Sequence, residues 1–170
     1  SVYIGDIWTI LCKRYDEQHL HEYGVEPLWI LRAISFVLLR HSDELGVSLF
    51  FRGNYRSFLS SVLRFVNSSN NDVVNELKDD FLKGFDMWIH MRDKSAYKSK
   101  FDQLTSMKMA VFEMQLYIAI WSIHHYVTDI NTRMNKAQDL YMKEKIRGTG
   151  RLDSATQIWV RLGIVEECLN

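Results

Sequence analysis

The clearest pattern along the chain is a nearly unbroken apolar run. Every position from 28 to 39 is apolar except Arg32 and Ser35. A surface helix shows one apolar stripe, whereas a helix apolar all round belongs in an interior. Pro27 suits a first helical position and Gly46 supplies a left-handed stop, so the pattern predicts a buried helix over 27–45. A second run, interrupted by Glu113, Gln115, His124 and His125, predicts another core helix over about 108–127. The first run is too short to cross a bilayer, which needs about 20 apolar residues. The polar interruptions of the second argue for a core helix there too, and no membrane insertion is expected.

Amphipathic segments surround these two. Residues 5–21 predict a first helix, and residues 54–67 another with Phe58, Val62, Phe65 and Val66 on one face. Residues 72–92 place Val73, Leu77, Phe81, Phe85 and Trp88 at three- and four-residue spacing, again a helical face. Residues 85–147 contain neither Gly nor Pro. One helix of that length would reach about 95 Å, too long for a chain of this size. Breaks are therefore expected at Thr105-Ser106 and near 129–131, where short polar side chains can cap new starts. Ser154 followed by Gln157 forms a capping box, and Gly163 is expected to end the short helix it opens. No internal repeat and no shift of composition marks a second domain. The prediction is an all-α fold, a single compact bundle of six to eight helices over 1–170.

Composition narrows the function classes. With 170 residues and 20.1 kDa the chain makes one ordinary domain. Lys+Arg and Asp+Glu both number 21, which argues against a histone-like coat for nucleic acid and against an acidic disordered tail. One Pro and eight Gly disfavour an all-β protein rich in tight turns. Cys12 and Cys168 are too few for a disulfide framework or a cysteine-rich zinc site, and two free thiols are expected rather than one bridge between the chain ends. Residues 1–20 lack a basic-then-apolar leader pattern, so an intracellular, cytoplasmic protein is expected. The chain opens on Ser1 rather than Met, as a processed or excised product would, and Asn67-Ser68-Ser69 fits a glycosylation sequon that matters only in a secreted protein.

Three stretches carry candidate chemistry. On a helix over 130–147, Arg133, Lys136, Leu140, Lys143 and Arg147 fall along one stripe, while Ile130, Met134, Ala137 and Tyr141 line a face that can pack on the bundle. With Arg151 beyond the loose Gly148-Thr149-Gly150, this ridge could attract phosphates even on a neutral protein. The plainer reading is a solvated outer face, with Asp139 reaching Lys143 at i,i+4 and Glu144 nearby. The second stretch interleaves aromatic and basic residues: Phe50, Phe51, Arg52, Tyr55 and Arg56 around Gly53-Asn54. Such residues can stack bases and hold phosphates, or can anchor a turn while the arginines reach outward. Lys94, Lys98 and Lys100 could extend that surface. The third is Leu38-Leu39-Arg40-His41-Ser42-Asp43-Glu44-Leu45, which resembles the core of a BH3 segment of the Bcl-2 family. That resemblance covers eight residues and implies a helical bundle that binds amphipathic helices in a groove. The Asn-Trp-Gly-Arg signature of that family is absent.

Enzymatic chemistry finds less support. His124 and His125 are adjacent and diverge by about 100° on a helix. No His-Glu-x-x-His motif and no Glu-x-x-His pair joins them or His19, His21, His41 and His90. His125 and Asp129 stand at i,i+4, a spacing at which a capped or surface-satisfied pair is the plainer outcome; Asp79-Asp80 reads as a solvated face, and Gly148-Thr149-Gly150 lacks the lysine of a phosphate loop. Residues 157–169 do not make a helix-turn-helix, because Trp159 stands where that motif wants a small residue. The sequence thus predicts a protein without cofactor, metal or catalytic residues that binds another protein, or itself, through helical surfaces. A nucleic-acid-binding protein, favouring RNA or single strands, is the alternative, and a Bcl-2-like helical regulator a minor one.

Overall fold

The computed structural model describes residues 2–41, 54–68, 72–147 and 154–170, leaving aside the side chains at 95, 145–147 and 155. In chain order the α-helices are α1 (Val2–Tyr15), α2 (Glu17–Glu22), α3 (Pro27–Arg40), α4 (Tyr55–Ser68), α5 (Asp72–Arg92), α6 (Ser95–Asp102), α7 (Lys108–His125), α8 (Ile130–Arg147) and α9 (Ala155–Leu169), with a 3-10 turn at Thr105–Met107. The all-α bundle is as expected, and its nine described helices exceed the expected number because the chain breaks at more points than its Gly and Pro residues mark. Asp16 takes a left-handed φ of 64°, accepts a hydrogen bond from the Gln18 amide at 3.4 Å, and splits the first predicted helix into α1 and α2. A short aspartate can adopt that conformation because its side chain satisfies local backbone donors. Thr105, at φ 55°, turns the chain into the 3-10 segment, and Tyr126, at φ 54°, ends α7.

The helix α3 begins at Pro27, preceded by Glu26 in the extended conformation that a following proline imposes. It ends at Arg40, earlier than the expected 45, and Gly46 lies outside the described residues. The expectation for Gly163 is overturned: α9 runs through it to Leu169. Nothing stands within 4 Å of where a Gly163 Cβ would lie, so this glycine is a helix-interior position without a turn to make. Its N-terminus is as expected, with the Gln157 amide donating to Ser154 Oγ at 3.3 Å. On α5 it is Val74 that is buried beside Leu77, Phe81, Phe85 and Trp88, while Val73 is 41% exposed.

The centre of the bundle is α7, which packs against α3, α5, α8 and α9. Each residue from 110 to 120 is buried, including Glu113 and Gln115. These two polar exceptions meet polar exceptions on other helices. The Arg32 Nε of α3 donates to Glu113 Oε1 at 2.5 Å, and Arg161 Nη2 of α9 lies 3.4 Å from Oε2. Trp88 Nε1 donates to Gln115 Oε1 at 2.9 Å, and Gln115 Nε2 donates to the Met134 carbonyl at 3.0 Å. From there Gln138 Nε2 donates to the Lys100 carbonyl at 3.3 Å, so one polar chain links α5, α7, α8 and α6. Around it Trp88 meets Phe112 edge-on at 4.8 Å and Phe101 at 5.4 Å, an arrangement that aromatic quadrupoles favour. The antiparallel α5 and α7 approach tightly at Gly84, where a Cβ would lie 3.1 Å from Ile120 Cγ1.

Two stability measurements check this architecture. Replacing Glu113 with Gln would leave two buried guanidinium groups without their shared carboxylate. The loss expected by urea unfolding is about 3–5 kcal/mol, the cost of breaking a buried ion pair. Gly163→Ala should instead stabilise by about 0.5–1 kcal/mol, the helix-propensity difference at an interior position with open space. A loss of stability in Gly163→Ala would mean that α9 ends at this glycine after all.

Candidate functional site

The groove of interest lies beyond the Gly84 crossing, where α5 and α7 are bordered by the end of α3. Its volume is about 360 Å³. One helix face of α5 supplies Val73, Glu76, Leu77 and Asp80, at positions i, i+3, i+4 and i+7. The facing stripe of α7 has the same spacing: Tyr117, Ile120, Trp121 and His124, with His125 beside them. The last turn of α3 closes the floor with Val37, Leu38 and His41. Leu38, Leu77 and Ile120 are buried, so the floor is apolar, while Glu76 and His125 are exposed along the rim.

Polar groups on the rim are held by specific bonds. His124 Nε2 donates to Asp80 Oδ2 at 2.8 Å, tying α7 to α5. The His41 ring stacks on Tyr117 at 12° and its Nε2 is 2.5 Å from the Tyr117 hydroxyl, tying α3 to α7. His125 Nδ1 donates to the Trp121 carbonyl at 2.9 Å and its ring stacks on the Trp121 ring at 4.1 Å. His125 therefore turns back along its own helix rather than towards Asp129, whose carboxylate instead accepts from Arg133 Nε at 2.9 Å. That bond holds the exposed Asp129 carboxyl below the usual carboxylate range. Asp80, expected on a solvated face, is here a groove residue. Among the described residues no group of three His, Cys, Asp or Glu side chains is placed to hold a metal ion.

The basic stripe of α8 is only partly assembled. Arg133 turns inward, with Nη1 donating to the Cys168 carbonyl at 2.8 Å and its guanidinium 5.5 Å from the centre of the Trp121 ring. Lys136 and Lys143 are exposed. Asp139 pairs with Lys100 of α6 at 2.7 Å, not with Lys143 as expected, so acidic charge interrupts the ridge. The Arg147 side chain, Arg151 and Arg52 lie outside the described residues. Met134, Ala137 and Tyr141 line the buried face of α8, as their spacing predicts.

Of the second stretch, Asn54 caps α4 by accepting from the Ser57 amide at 3.1 Å. Arg56 is exposed, and the Tyr55 ring is half-buried, 4.6 Å beneath the Arg32 guanidinium and 6.0 Å from Phe58. Lys98 pairs with Asp102 at 3.2 Å. Of the BH3-like stretch, Leu38 and His41 line the groove and 42–45 lie outside the described residues. The two cysteines are free, and burial of Cys168 pushes its thiol up to about 11. Trp159 and Tyr126 are the large aromatic side chains most exposed among the described residues, and neither is among the groove-lining residues.

The groove residues escaped sequence reasoning because each half of the pattern is unremarkable alone. Glu76 and Asp80 look like the wet side of an amphipathic helix, and His124 and His125 like interruptions of a core helix. Only the pairing of the two stripes makes them one surface. Comparison with protein-family models, with curated proteins and with solved structures finds no match to this chain. Among the described residues no helix is long and apolar enough to cross a membrane.

Lys136→Glu and Lys143→Glu should shift unfolding free energy by less than about 0.5 kcal/mol, as exposed substitutions do. Arg133→Glu should cost about 1–2 kcal/mol, because it removes a charge-assisted bond to the end of α9 and sets a carboxylate beside Asp129. Chemical denaturation of the three single variants checks the ranking, and equal costs would contradict the inward placement of Arg133.

Proposed function

We propose that this protein is a non-enzymatic binding module that receives an amphipathic helix of a protein partner in the α3–α5–α7 groove. The observation that carries the proposal is the groove itself: an apolar floor between two helices, edged by the exposed Val73 and the aromatic Trp121. An incoming helix satisfies its own backbone hydrogen bonds and needs from the groove only a place for its apolar ridge. Among the described residues there is no strand whose edge could accept an extended peptide instead. The described lining contains no Ser, Thr or Cys, and its Tyr117 hydroxyl is engaged by His41, so the Asp80–His124 pair faces no free nucleophile for acyl transfer. The alternative of nucleic-acid binding through α8 rests on Lys136 and Lys143, the two exposed cations of the described stripe.

A labelled amphipathic peptide about five helical turns long, with leucines at i, i+3, i+4 and i+7 and lysines flanking them, serves as a probe in fluorescence anisotropy. Binding should weaken about tenfold or more in Trp121→Ala and in Val73→Gln, since anchors of this kind are worth more than about 1 kcal/mol. Amide NMR shifts on titration should concentrate at the ends of α3 and α7 and the first half of α5. Shifts confined to α8, or tight salt-sensitive binding of single-stranded RNA lost on Lys136→Glu and Lys143→Glu, would favour the nucleic-acid alternative and overturn this one.

A further inference from the structure

We infer that the groove selects a partner segment carrying a basic residue beside its apolar ridge; this inference rests on the docking of a helix in the groove. Glu76 and Asp80 stand one turn apart on α5, both on the groove side. Glu76 is exposed and has no ion-pair partner among the described residues. The partner of Asp80 is an imidazole, which when neutral donates a hydrogen bond and leaves the carboxylate charge uncompensated. No lysine or arginine is among the described residues lining the groove. Two negative charges beside an apolar floor suit the lysine or arginine of an amphipathic segment, and like charges on the partner would be repelled.

Three peptides with one apolar ridge and Lys, Gln or Glu flanks separate the possibilities, titrated at low salt, where exposed charges are least screened. The Lys peptide should bind about fivefold tighter than the Gln peptide, the worth of one or two exposed ion pairs. The Glu peptide should bind weakest. Glu76→Gln and Asp80→Asn should abolish the Lys preference without weakening the Gln peptide, and circular dichroism establishes that both variants keep the fold. Equal binding of Lys and Gln peptides overturns the charge selection while leaving helix docking intact. Failure of all three peptides to bind overturns the docking itself.

Discussion

The arrangement on which the other helices depend is the buried cluster of Arg32, Glu113 and Arg161. Their side chains are at most 3% exposed, and one carboxylate faces two guanidinium groups brought from α3 and α9. Desolvating three charges is expensive, and the attraction between them offsets that cost only where the geometry is good. The cluster therefore acts less as a source of stability than as a test of registry. Were α3 to slide by one turn along α7, Arg32 would lose Glu113 and a charge would be stranded in the core, a penalty that an all-aliphatic contact would not impose. Arg32 also covers the Tyr55 ring, so the same residue touches α4.

Registry at Glu113 carries along α7 to the groove. Gln115 binds Trp88 of α5 two residues on, and at Gly84 the α5 backbone comes close enough that a side chain would meet Ile120. Beyond that crossing the two helices present their outer turns, and the partly polar stripes of Val73–Asp80 and Tyr117–His124 face each other. The core ends and the groove begins where the α7 residues change from buried aliphatics to Trp121, His124 and His125. That change is written in the sequence as the end of an apolar run, and it coincides with the end of the packed interior.

How much was legible follows from this. The two core helices were legible because burial on all sides demands apolar residues on all sides, and their polar exceptions turned out to be each other's partners: Arg32 meets Glu113. Gln115 needed Trp88, whose indole N–H no periodicity argument considers. Helix starts were legible where a side chain makes the cap, as at Ser154 and Asn54. Stops were less so, since a glycine such as Gly163 is equally a terminator or a helix residue until its surroundings are known. The breaks at Asp16 and Tyr126 depend on single backbone conformations that non-glycine residues adopt at a small cost. The basic stripe was correct in spacing and incomplete in neighbours, because Asp139 chose Lys100, a residue 39 positions away, over Lys143 on its own helix.

The fate of Arg133 connects the misjudged stripe to the groove. Tyr126, a residue 91% exposed, ends α7 in a left-handed conformation, a place where glycine would meet no steric penalty. Its amide and that of Val127 both donate to the Ser122 carbonyl, and the chain reverses into α8 within a few residues. That tight reversal brings Arg133 back to the last turns of α7, where its guanidinium lies near the Trp121 ring on which His125 is already stacked. Trp121 is thus held by a neighbour from its own helix and one from the next, the Asp129 carboxylate and Cys168 carbonyl keeping Arg133 in place. An aromatic wall restrained in this way has little rotamer freedom left to lose when a partner packs against it, and preorganisation of that kind is what converts a modest apolar groove into an effective anchor. The cation that resembled a phosphate contact in the sequence is, in the fold, a support for the groove.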